Sequence, residues 1–254
     1  MRRPADATTA WIEALARRHL ERLTLAEVRR GLVALSSLYV ERRSRLAAGA
    51  AFEGAGKRAA YALFYTPLHF FVVRDVVRAL DAARPAPRRL FDLGCGTGAA
   101  GAAWASQARG PVRLSGVDRS GWAIEEARWN WRTLGIEGHA TRGDLLDLPA
   151  AGAGGAVLVA FTANELDEEA RRALLERLRA AAARGAAILV VEPIAARIVP
   201  WWDAWAEALS SEGARADAWR FPATLPEPLA TLDHAAHLDH STLTARSLYV
   251  PPRR

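Results

Sequence analysis

Three glycines, Gly94, Gly96 and Gly98, follow a short apolar run in "LFDLGCGTGAAGAAWA" and precede an alanine-rich helical stretch. Glycines so spaced let a chain turn sharply and let its backbone approach a ligand without β-carbons in the way. A glycine loop after a strand can serve a dinucleotide. Two details point elsewhere. Asp92 sits at the strand end just before the loop, where a phosphate-binding loop rarely keeps a fixed negative charge. The third glycine also comes in G-x-G-x-G rather than G-x-G-x-x-G order. Asp118 stands 20 residues beyond Gly98, in "LSGVDRS", at the end of the next predicted strand. A carboxylate there can accept both hydroxyls of a ribose. Asp144, in "TRGDLLDLP", follows the third strand and is placed to accept the exocyclic amine of an adenine, with the backbone at Leu145 beside the ring edge. Taken singly, Asp118 is also a helix cap and Asp144 a turn residue; their joint placement after this loop favours a nucleoside site.

A second constellation lies in "VLVAFTANELDEE", which begins as a buried strand and ends as a helix start. Asn164 and Glu165 are the catalytic candidates. In one reading Asn164 directs an acceptor, and Glu165 orients it or takes a proton. In the other, Asn164 or Asp167 caps the helix beginning near Glu168, with Glu165 close to its positive end. Both readings stand at this point.

The elements that must position these residues read clearly. Strands are predicted at 89–93, 112–118, 137–141, 155–161, 186–191, 215–221 and 243–250, and helices at 98–108, 120–134, 167–183 and 197–212. Strands separated by helices make βαβ units and a mostly parallel sheet. No convincing helix separates the last two strands, which suits an antiparallel finish. The chain before residue 85 reads as helical. Thr24 and Glu27 have capping-box spacing, Leu25, Val28, Leu32, Leu35 and Leu38 recur at helical intervals, "AAGAAFEGAGK" reads as a loop, and Pro67 should start or kink a later helix. "RPAPRR" marks a boundary, so the expected division is a helical lid and substrate region over 1–87 and a binding domain over 88–254.

Composition excludes several classes. Of 254 residues 51% are apolar and 24% charged, as in a soluble globular protein. No apolar run reaches bilayer length, the basic start has no apolar core behind it, and the one cysteine allows no internal disulfide. A cytoplasmic protein without membrane contact is expected. Lys57 is the only lysine, so arginine-rich composition reflects codon bias as much as partners. Distribution says more: residues 1–89 carry 17 basic and 8 acidic side chains, a balance of +9, against −3 for the remainder. That asymmetry suits an anionic partner or a solvated helical face.

"FDLGCGTG", "GVD" and "GDLLDLP", in that order, resemble the successive cofactor motifs of class I S-adenosylmethionine-dependent methyltransferases. The resemblance covers residues 88–250 and implies a Rossmann-like seven-stranded sheet with an antiparallel last strand. Carried over position by position, it implies that Gly94, Gly96 and Gly98 cradle the methionyl part. Asp92 would reach its amino group through the loop or water, Asp118 would hold the ribose and Asp144 the adenine. Cys95, as a small apolar filler, together with Arg119, Leu145 and Phe161 completes the cofactor-binding set. Methyl transfer is an in-line displacement that needs alignment and exclusion of water more than a universal base. The acceptor is then read at the fourth strand's exit. "AFTANEL" is not the Asn/Asp-Pro-Pro-aromatic motif of amino-group nucleic-acid enzymes, and a lone cysteine does not fit the two-cysteine cytosine enzymes.

"FTANEL", "ILVVEP" and "RAAYALFYTPLHFFVVRDVV" also resemble a methyltransferase-like family associated with the small ribosomal subunit, including mitoribosomal members, although its cysteine cluster for an iron–sulfur centre is missing. That resemblance implies Lys57, Arg58, Tyr61, Tyr65 and His69 as substrate contacts; core packing is the other reading of the aromatics. RNA, ribosomal RNA first, is the leading acceptor expected. A small-molecule acceptor is the first alternative, and a non-catalytic ribosome-assembly factor the second. "HAAHLDH" has metal-like histidine spacing without a completing ligand set, and no metal is expected. The tryptophans of "WNWRTLG" and "PWWDAWAEAL" could stack on bases or pack on the sheet.

Overall fold

A computed structural model describes residues 4–41, 53–147 and 151–253. Most of the "AAGAAFEGAGK" loop and Leu148 and Pro149 of "GDLLDLP" lie outside the described residues. The chain divides into two compact units, Met1–His69 with Pro222–Leu243, and Phe70–Phe221 with Thr244–Arg254.

The larger unit holds a seven-stranded sheet: β1 (Arg89–Leu93), β2 (Arg113–Asp118), β3 (Gly138–Arg142), β4 (Gly155–Ala160), β5 (Ala187–Glu192), β6 (Arg215–Pro222) and β7 (Thr242–Val250). Their order is β3-β2-β1-β4-β5-β7-β6. β1 pairs in parallel with β2 and β4, β2 with β3, and β4 with β5, while β7 runs antiparallel to β5. This is the Rossmann-like architecture the sequence predicts, with each strand within about two residues of its expected bounds. Central strands are covered on both faces and therefore read as continuous apolar runs: every residue of β4 and β5 is buried. β6, at the sheet edge, alternates exposed and half-buried instead.

α5 (Ala99–Gln107), α6 (Gly121–Thr133), α7 (Glu168–Ala183) and α8 (Trp202–Ser210) alternate with the strands. The helix expected over 197–212 is shorter, because Pro200 separates a 3₁₀ turn at Ala196–Ile198 from α8. Trp202 and Trp205 are buried in the core beside Leu174, Leu178 and Val190, so these tryptophans pack rather than stack on bases.

In the smaller unit, α1 (Pro4–His19) is followed by α2 (Leu25–Glu41), α3 (Ala55–Ala60) and the start of α4 (Thr66–Ala79). The capping box forms as spaced: Glu27 accepts the Thr24 backbone N–H at 2.8 Å, and Thr24 Oγ1 accepts that of Glu27 at 3.3 Å. Before Pro67 the helix widens into a π turn at Tyr61–Tyr65, where the Thr66 N–H reaches back to Tyr61 O. Proline brings no N–H and crowds the preceding turn, so a wider turn relieves it. The sequence reading expects no helix between β6 and β7, but α9 (Leu229–Ala235) is there. At seven residues with Leu229 and Leu232 buried, it is too short to show a helical period.

Candidate functional site

Strand order reverses between β1 and β4, and open α/β sheets bind ligands outside the carboxyl ends of strands at that point. The glycine loop leaves β1 there with Gly94, Gly96 and Gly98 at φ 70°, 50° and 80°, the left-handed region. A β-carbon on Gly94 would come within 2.3 Å of Thr162 Cγ2, and one on Gly98 within 2.4 Å of Trp131 Nε1. The loop is held from behind through its carbonyls. Thr162 Oγ1 donates across the reversal point to Gly94 O at 3.0 Å, Trp131 Nε1 to Gly98 O at 2.8 Å, and Asn130 Nδ2 to Thr97 O at 2.9 Å. Thr162, Trp131 and Asn130 are contributions that the sequence reading missed, since pairing over 33 to 68 positions has no local signal.

The two aspartates expected at the nucleoside stand at successive strand ends. Asp118 closes β2, with Oδ2 accepting from Gly96 N at 2.9 Å and Oδ1 from Ser120 N at 2.8 Å. Burial raises its carboxyl above the ordinary range, against those bonds and the Arg119 charge. Asp144 follows β3, accepts Leu146 N at 2.9 Å and pairs with Arg119. The Leu146 bond and then Arg119 hold it below the usual carboxylate range. The Leu145 side chain turns into the core beside Phe91, Leu93 and Val117. Cys95 is buried, and burial first, then Asp92 and Asp118, pushes its thiol well up, which disfavours the thiolate.

Asp92 is 1% exposed. Its Oδ2 accepts Gly101 N at 2.9 Å, bracing α5 against β1, while Oδ1 is buried with no partner among the described residues. Burial pushes this carboxyl up to about 7.

At the exit of β4, Phe161 adopts φ 57° and donates its N–H to Val191 O at 2.8 Å. A left-handed aromatic residue costs about 1–3 kcal/mol and is held only where its surroundings determine it. A 3₁₀ turn at Ala163–Glu165 follows, closed by Glu165 N donating to Thr162 O at 3.0 Å. The cap of α7 is Asp167, whose Oδ1 accepts Ala170 N at 2.8 Å. Asn164 does not cap. Its backbone N–H donates to Glu192 Oε1 at 3.2 Å and its side-chain amide to Oε2. Glu192, the last residue of β5, is fully buried, and burial pushes it up to about 8. It too was missed, although an acid ending the apolar "ILVVEP" run is a readable signal.

The remaining candidates belong to the smaller unit. Lys57 lies 3.9 Å from Glu53, and Arg58 is exposed. The Tyr61, Tyr65 and His69 rings form one cluster, with centroids 5.7 to 6.2 Å apart. Burial pushes Tyr65 up to about 12, and burial with the nearby His240 lowers His69 to about 4. His240 packs edge-on to Phe64 at 5.3 Å and is held by Asp233 at 2.5 Å. Among the described residues no group of His, Cys, Asp and Glu is arranged to hold a metal ion.

The larger unit's set fits S-adenosylmethionine. The glycines let the loop pack without β-carbons against Thr162 and Trp131 behind it, Asp118 keeps lone pairs for hydroxyls beyond its two backbone bonds, and Asp92, at the strand end before the loop, keeps an unpartnered carboxyl oxygen.

Residues 90–185 match a family described as "Methyltransferase domain". None of the curated proteins matches the chain. Among solved structures, the chain is similar to the plantazolicin methyltransferase BpumL in complex with S-adenosylhomocysteine, at 15% identity over 87% of this chain and 98% of that one, with a TM-score of 0.55. It is also similar to a protein of Nostoc punctiforme PCC 73102 provisionally assigned as an O-methyltransferase, at 13% identity over 90% and 73%, TM-score 0.56. The pyocyanin biosynthetic protein PhzM shares 21% identity over 85% and 61%, TM-score 0.50. These likenesses establish the fold. The family match lies within the larger unit and spans the glycine loop, Asp118 and Asp144, the residues whose motifs imply S-adenosylmethionine as the methyl donor.

Proposed function

We propose that this S-adenosylmethionine-dependent methyltransferase acts on a small-molecule acceptor. The observation that carries the reading is the exit of β4. Half-buried Phe161 and Thr162 and buried Ala163 stand where amino-group nucleic-acid enzymes keep a Pro-Pro-aromatic motif. Support also comes from like-folded proteins, which include a plantazolicin methyltransferase and a pyocyanin biosynthetic protein.

S-adenosylmethionine, when bound, would supply an electrophilic methyl group for displacement by the acceptor's lone pair, with the thioether as leaving group. The chain's own residues bind and align. The backbone of Gly94, Gly96 and Gly98 receives the methionyl part, Asp118 accepts the ribose hydroxyls, and Asp144 with the backbone at Leu145 receives the adenine. Thr162 ties this loop to the exit of β4, its hydroxyl proton shared between Gly94 O and Ala160 O at 3.0 Å each. Asn164 orients the acceptor. Alignment of this kind is where most of the rate arises in a displacement without covalent catalysis.

The test is transfer of tritiated methyl from S-adenosylmethionine into a fractionated extract of a strain lacking the protein. Label is expected in the small-molecule fraction; label confined to RNA or protein would overturn the reading. RNA is the second reading, favoured by the balance of +9 over residues 1–89 and by the resemblance of "FTANEL" and "ILVVEP" to the ribosome-associated family. An RNA acceptor predicts binding that weakens steeply with salt.

A further inference from the structure

Glu192 carries no role in the reaction as described above, yet its carboxyl meets the one amide that the exit of β4 presents. Oε1 accepts the Asn164 backbone N–H, and the Ala163 N–H also donates to this carboxyl. Oε2 meets the Asn164 side-chain amide at 2.5 Å. These donors are all neutral, and a buried carboxylate without a cation depends on them entirely. Only one hydrogen can lie between Oε2 and the amide. If the carboxyl is ionised, Asn164 presents an N–H to it and turns Oδ1 away. If it is protonated, its O–H donates to Oδ1 and the NH₂ turns away.

We propose that Glu192 is a positioning residue for methyl transfer: through its contact with Asn164 it selects which end of that amide, NH₂ or oxygen, faces the acceptor. The inference rests on the reading that the exit of β4 receives the acceptor. The protonated state offers two N–H donors to an acceptor oxygen, such as a phenolate or carboxylate; the ionised state offers an acceptor for O–H or N–H. Other charged groups around Glu192 are few. Glu165 in the 3₁₀ turn opposes its ionisation. Arg246 lies opposite it on β7, but its guanidinium donates to Ile194 O at 3.0 Å and sits 5.2 Å over the Trp202 ring. Ala160 of β4 and Phe161 and Thr162 just after it have no ionisable side chain. Burial places the change of state near pH 8.

The experiment follows the Asn164 side-chain amide resonances of the protein saturated with S-adenosylhomocysteine, from well below to well above that pH. Initial rates of tritiated methyl transfer into the small-molecule pool are measured alongside. In the wild type both should change with one midpoint, near pH 8. In Glu192→Gln the backbone N–H groups still hold Oε1, so Nε2 donates to Asn164 Oδ1. The low-pH orientation is thereby fixed, and both pH steps disappear. Glu192→Ala should lower kcat about tenfold or more with S-adenosylhomocysteine affinity changed less than about twofold, and Glu192→Gln should restore the low-pH rate. A Glu192→Gln protein that keeps the steps would overturn the proposal, as would a parallel loss of cofactor affinity in both variants. If no pool accepts label, the acceptor reading fails, while the resonance titration still decides the orientation of Asn164.

Discussion

A methyl group added at Gly94 has nowhere to go, being 2.3 Å from Thr162 on a backbone already at φ 70°. Gly94→Ala should therefore weaken S-adenosylhomocysteine binding about tenfold or more and destabilise the fold by about 1–3 kcal/mol, read by calorimetry and thermal unfolding. Asp118→Ala removes a half-buried carboxylate whose hydrogen bonds are each worth roughly 1.5–3 kcal/mol. Its expected loss of affinity is about 10- to 100-fold, and unchanged affinity would dissociate Asp118 from the ribose. Asn164→Ala should leave cofactor affinity intact and reduce transfer about tenfold. Equal transfer by the two proteins would leave Asn164 as a closure of the 3₁₀ turn and nothing more.

At the scale of elements, the site consists of the exits of five parallel strands, and their order decides which residues meet. Thr162 illustrates this. Its hydroxyl links the exit of β4 to the loop after β1, so Thr162→Val keeps the shape and removes the bond. The expected result is a loss of about 1 kcal/mol and faster amide exchange in residues 94–98. Exchange unchanged there would mean that Trp131, Asn130 and Asp118 hold the loop without it. Much of the sheet was legible from sequence, because fully buried strands such as β4 and β5 are unbroken apolar runs ended by glycine or a polar residue. The glycine loop and Asp118 were legible for the same reason, each sitting where an apolar run stops, whereas Asp144 follows the mostly exposed β3 and was legible from the order of the motifs. The partners that fix them were not. Glu192 meets Asn164 across 28 positions, and Trp131 meets Gly98 across 33, distances at which sequence spacing carries no geometric meaning. α9 was hidden by its brevity, and the π turn by a proline whose effect falls on the turn before it.

For the whole molecule, buried ionisable groups in the two units act in opposite directions on stability. Asp92 and Glu192, in the larger unit, have folded values raised to about 7 and about 8. Their stabilising contribution is full below the ordinary carboxylate range near pH 4 and is lost as pH rises toward 8, with about 1.4 kcal/mol following each tenfold change in proton affinity. His69, in the smaller unit, is depressed to about 4, so its contribution is present above 6.5 and lost as pH falls through that window. Urea unfolding of the cofactor-free protein should show stability falling from neutral to mildly alkaline pH, and Asp92→Asn should flatten part of that fall. A stability that rises with pH over the same range would contradict the burial of these acids.

The basic first third leaves two acceptor classes to separate, and the central claim is that the protein methylates small molecules from S-adenosylmethionine. Its most direct test is the tritiated transfer assay on a fractionated extract. Label is expected in the small-molecule fraction, and less of it with Gly94→Ala at limiting S-adenosylmethionine. Label in RNA with none among small molecules would contradict it.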